Sequence, residues 1–221
     1  MAGTGQSLWY AVPSLPNIDL LQIFIAFSVL LFSLTVHEAA HAWSADRLGD
    51  ATARMLGRVS LNPAVHIDPL GTIVFPLIAM VTNLPIIGWA KPVPVNTRNL
   101  RGHWKRKYMA IAAAGPASNL MLASIAAVGV RLMGFEAASG PVFRFLLLMV
   151  VINVLLAVFN MLPIPPLDGG NVLSGLLRGR ASDMFDRLRP YGFFLLYALL
   201  LTGVFERIVF PIQEGILSWL L

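Results

Sequence analysis

The chain contains no cysteine. A disulfide framework and a thiolate metal site are both excluded, while the redox compartment stays open. Charge is also scarce. Lys, Arg, Asp and Glu together make up 12% of 221 residues, about half of the ~25% usual in soluble domains. The surface is therefore expected to meet lipid rather than water. Internal repeats and low-complexity tracts are absent, and no basic stretch precedes the first apolar run, so no cleaved signal peptide is expected. The length suits one compact bundle, a single domain over 1–221 with a core at about 20–180 and further membrane segments over about 190–221.

What is present is apolar. Hydrophobic residues make up 57% and the mean hydropathy is +0.74. The net charge of +5 reads as positive loops on the cytoplasmic side of a multi-pass protein in the plasma membrane, with no nucleic-acid partner. Residues 20–43, 108–133 and 141–162 read as spans, and 195–210 and 212–221 are apolar again. Asp19 is a possible N-cap of the first span, and Trp9 and Tyr10 are candidates for a headgroup interface.

Lys and Arg cluster in 44–69, 89–107 and 178–189. The first two of these loops flank 71–88, which is short and broken by Pro76, Asn83 and Pro85. A segment with cytoplasm on both sides cannot cross once, so it is expected to be re-entrant. The fold expected is an all-α polytopic membrane protein of about four to six membrane segments, one re-entrant. A small membrane-associated β-sheet, from 51–61 and the proline-alternating WAKPVPVN, is expected near the active site.

The first span ends in LTVHEAAHAW. Ionisable side chains at membrane depth are costly and usually functional. His37 and His41 are four apart and share a helix face. With Glu38 they spell H-E-x-x-H, in which two imidazoles reach one zinc ion and the glutamate takes a proton from its bound water. Glu38 lies about 27 Å along the helix from Leu20 at 1.5 Å per residue, within a hydrocarbon layer about 30 Å thick and towards its cytoplasmic side.

A catalytic zinc takes three protein ligands and keeps one open position. Asp168 in NMLPIPPLDGG follows an inward-running span and arrives at the same depth. Gly169 and Gly170 are expected to let the backbone turn tightly beside it. His66 and Asp68 have two readings, an additional metal contact or a hydrogen-bonded turn ahead of Pro69. His103 reads as solvated, and Gly115 and Pro116 as packing and kink residues.

HEAAH, PPLDGG, AGPASN (114–119) and GWAKPVPVN (88–96) together make the chain resemble the site-2 proteases, intramembrane zinc metalloproteases, in a minimal form without a PDZ domain. The resemblance implies one Zn2+ on His37, His41 and Asp168, with Glu38 as base. It also implies that Asn160 holds substrate or the oxyanion, with Asn153 the lesser candidate beside an interhelical hydrogen bond. The substrate implied is a single-span membrane protein, unwound where it is cut. The expected strands could capture that unwound segment or serve as scaffold. The competing function is a metal-binding membrane transporter without peptidase activity, and Glu38 discriminates the two because only proteolysis needs a base.

Overall fold

A computed structural model describes residues 20–82, 88–134 and 140–221. Trp9, Tyr10, Asp19, Asn83 and Pro85 lie outside the described residues. The long helices are α1 (Leu20–Arg47), α4 (Trp104–Met133) and α5 (Pro141–Asn160), with short α2 (Thr52–Met55) and α3 (Phe75–Thr82) between the first two. After α5 come α6 (Asp168–Leu176), α7 (Arg180–Leu188), α8 (Gly192–Leu201) and α9 (Val204–Leu220).

α1 has neither glycine nor proline over 28 residues, so nothing interrupts it. It stops where Gly49, at φ +112°, lets the chain reverse. Gly49 N–H then reaches Asp46 O at 3.2 Å and Asp50 N–H reaches Ala45 O at 2.9 Å, the paired closure of a Schellman end. α1, α4 and α5 pack on one another around Val29, Ala123, Val150 and Val154, all fully buried. α1 and α4 run antiparallel: His41 meets Ile111 and His37 meets Asn119. The C-terminal half of α1, the N-terminal half of α4 and the C-terminal end of α5 therefore share one end of the bundle.

These three helices are long and apolar enough to cross a membrane. A fourth crossing is counted if α7 to α9 form one broken span, bent by 79°. Among the described residues the crossing helices number three or four, at or below the low end of the four to six membrane segments expected. The break falls at Gly203, in the left-handed conformation, and Pro211 lies inside α9 instead of dividing it.

The expected β-sheet is wrong: no strand forms among the described residues. Within 51–61 the carboxylate of Asp50 accepts the N–H and hydroxyl of Thr52 at 3.2 and 2.5 Å. That starts the helical turn α2 in place of a strand. The stretch 88–96 is extended but has no partner strand. Its inward N–H groups go to scattered acceptors: Trp89 to Gly71 O (3.0 Å), Lys91 to His66 O (2.9 Å) and Val93 to a Glu38 oxygen (3.1 Å). Asn96 N–H closes the series on Asp50 at 2.6 Å. Burial alone would raise the Asp50 carboxyl. Donors from Thr52, Asn99 and Asn96 outweigh it and hold the group below the usual carboxylate range. Because Trp89 bonds Gly71, the chain leaves through a short helical run and α3 and returns to the same point. Gly71 is required there, since a Cβ would stand 2.5 Å from the Trp89 ring.

Candidate metal centre

His37 and His41 sit one turn apart on α1, 4% and 8% exposed. Their Nε2 atoms are 3.0 Å apart. Asp168, the first residue of α6, brings Oδ2 to 3.1 Å from His37 Nε2 and 3.3 Å from His41 Nε2. Three donor atoms from two distant parts of the chain thus form a near-equilateral triangle.

α4 organises that triangle from one face. Residues 111, 115 and 119 lie on successive turns. The Ile111 carbonyl accepts His41 Nδ1–H at 2.7 Å. Asn119 Oδ1 accepts His37 Nδ1–H at 2.6 Å. Between them Gly115 leaves the space both rings occupy: a Cβ there would lie 2.4 Å from His41 Nε2 and 2.6 Å from His37 Nε2. The reading of Gly115 as a packing residue missed this, and Asn119 entered the sequence reading only as the last residue of AGPASN. The available cue was the i, i+4, i+8 spacing of one carbonyl, one glycine and one amide.

With both Nδ1 atoms protonated and donating, each neutral ring turns an Nε2 lone pair inward. Asp168 Oδ2 is buried and accepts no hydrogen bond. Three lone pairs therefore face one another at 3.0–3.3 Å, an arrangement that repels unless a cation lies among them. Zinc bonds of about 2.0–2.1 Å give a tetrahedron with edges of about 3.3–3.4 Å. The donor set and its spacing fit a zinc ion with a fourth position open.

The loop ahead of Asp168 is held by contact. A Cβ on Gly169 would stand 2.2 Å from Met161 O, and one on Gly170 2.8 Å from the Ile164 carbonyl carbon. Neither glycine has a positive φ; their lack of a side chain lets the first turn of α6 lie directly on the strand of loop leaving α5. The expectation of a tight turn is thus replaced by one of close approach.

Glu38 is buried beside the triangle's helix turn and accepts the Val93 N–H. Asn160 spends its amide on Leu156 O at 2.9 Å, one turn back on its own helix. Asn153 is fully buried and bonded to Asn119 at 2.8 Å. His66 donates to Ser60 O at 2.8 Å, and Asp68 caps the turn ahead of Gly71 by accepting its N–H at 2.8 Å. Neither joins the metal group.

The protein named "Putative zinc metalloprotease YwhC" of Bacillus subtilis (strain 168) is 36% identical over 195 residues, 84% of each chain. The model of peptidase family M50 matches residues 129–203, the stretch containing Asp168. The chain belongs to peptidase family M50, the site-2 proteases. This M50 peptidase is also 28% identical over 214 residues to "Putative zinc metalloprotease Rip2" of Mycolicibacterium smegmatis, covering 96% of the chain and 80% of that protein. With Rip2 of Mycobacterium tuberculosis the M50 peptidase shares 25% identity over 218 residues, 98% and 80% of the two chains. No solved structure gives a significant match to it.

Proposed function

We propose that this chain is an intramembrane zinc metalloprotease that cuts a transmembrane segment of a single-span membrane protein. The observation that carries the reading is the triangle of bare donor atoms from His37, His41 and Asp168, with a carboxylate next in sequence to one of them. Membership of a peptidase family and the zinc metalloprotease names of relatives support it.

His37, His41 and Asp168 would hold the zinc. When bound there it supplies Lewis acidity and lowers the pKa of a water towards ~7. Glu38 takes the proton of the attacking water and returns it to the leaving amine. The Val93 N–H holds one Glu38 oxygen and so fixes the direction in which the other points. Asn160 would give its amide to the developing oxyanion by exchanging its bond to Leu156 O. The substrate helix must unwind first, because its carbonyls are otherwise tied into i to i−4 bonds. The setting proposed is the plasma membrane, with the basic loops and the metal end of the bundle towards the cytoplasm.

The test uses purified full-length protein in liposomes with a single-span substrate. Glu38→Gln should keep zinc and lower cleavage by about 10²–10⁴-fold, the usual worth of a general base. Asp168→Ala should lose both zinc and cleavage. Unchanged cleavage in Glu38→Gln rejects the base. Movement of zinc into the vesicle lumen without any cleavage would favour a transporter instead.

A further inference from the structure

Ser33, Asn119 and Asn153 are all 0% exposed, at the apolar meeting of α1, α4 and α5. Amides in such a place are costly unless every bond is made, and their orientation is then dictated by their neighbours. We infer that the tautomer of His37, and with it the ring's capacity to bind a metal, is set by main-chain carbonyls on other turns of the bundle and relayed through Asn153 and Asn119. The inference rests on the metal site proposed above.

The direction of the relay follows from atoms that can only accept. The Met149 carbonyl lies 2.8 Å from Asn153, so the group facing it is the amide nitrogen. The second hydrogen of that nitrogen goes to Ser33 Oγ, also at 2.8 Å. Asn153 Oδ1 must then face Asn119, whose Nδ2 donates to it at 2.8 Å. The other hydrogen of Asn119 Nδ2 points to the Ser33 carbonyl at 3.4 Å. Asn119 Oδ1 is left facing His37 Nδ1 at 2.6 Å. An amide oxygen cannot donate, so Nδ1 carries the proton and Nε2 presents its lone pair towards Asp168.

Turning the two amides over sets Asn153 Oδ1 against the Met149 carbonyl and Asn119 Nδ2 against His37 Nδ1. The first contact is acceptor against acceptor. The second moves the ring proton to Nε2, where it blocks metal. Asn119 and Asn153 are therefore positioning residues that act on the metal site through His37. His41 needs no relay, because a main-chain carbonyl, Ile111 O, fixes its tautomer directly.

The experiment reads the tautomer itself. Full-length protein labelled with 15N-histidine is stripped of metal and held in detergent at alkaline pH. The ring nitrogens of His37 are identified by their loss in His37→Gln. Wild type should carry the proton on Nδ1. Asn153→Leu should shift population to the Nε2–H form and weaken zinc about 10–100-fold in chelator competition, the usual range for outer-shell partners of a metal-bound histidine. Asn119→Leu should do the same. Far-ultraviolet circular dichroism checks that each variant keeps its helices. An Nε2–H ring at His37 in the wild type overturns the relay. So does a folded Asn153→Leu with unchanged tautomer and zinc affinity. A wild type with the Nδ1–H ring that binds no zinc rejects the metal site and leaves the relay standing.

Discussion

At Gly115 a single hydrogen stands where any other residue places a carbon against two imidazole nitrogens. The rings cannot swing aside cheaply, because each is held at Nδ1 by α4 itself. Gly115→Ala should therefore weaken zinc at least 100-fold with helix content unchanged, a loss larger than outer-shell changes usually bring. Chelator competition measures it, and wild-type affinity would show that the rings give way. The histidines themselves were legible in the sequence, since H-E-x-x-H is local and a helix places i and i+4 together. Gly115 was not. A glycine before a proline in an apolar helix has the same appearance whether it packs against a helix or against a ligand.

The extended stretch 88–96 lies across the buried Glu38 and holds it through Val93 N–H. Pro92 and Pro94 leave that edge alone, since the donors used belong to positions 89, 91 and 93. Val93→Pro suits the same extended backbone and removes only the donor. A hydrogen bond to a charged group contributes about 1.5–3 kcal/mol. Loss of this one should lower kcat about 10-fold or more, with zinc content unchanged. An unaffected kcat would mean that Glu38 is oriented by something else. Alternating prolines suggest an edge strand, but no strand forms there, and the backbone gives the alternate N–H groups of 89, 91 and 93 to scattered acceptors. What lies opposite it was beyond the reach of the sequence: an unpaired strap and an edge strand have the same local pattern. Asp50, too, reads as a plain loop acid until Asn96 and Asn99 are seen to converge on it.

For the whole molecule, α4 is 30 residues, about 45 Å at 1.5 Å per residue, and reaches across a hydrocarbon layer of about 30 Å. His103 and Met133 at its ends should thus face opposite compartments. The absence of cysteine makes the test clean. His103→Cys should react with an impermeant maleimide only from the cytoplasmic side, and Met133→Cys only from the other. The reverse pattern would invert the proposed orientation. Composition and hydropathy alone determined that this is a helical membrane protein, because the burial cost of charge in lipid is a property of residue type, and the HEAAH pattern alone put two histidines on one face. The PPLDGG stretch also offered Asp168 as their third partner, and tertiary structure decided how closely it meets them, that α4 supplies the space and the Nδ1 acceptors, and that a proline-rich strap holds Glu38. Those contacts join residues far apart in the chain, and their energies depend on distance in space, which no local pattern encodes.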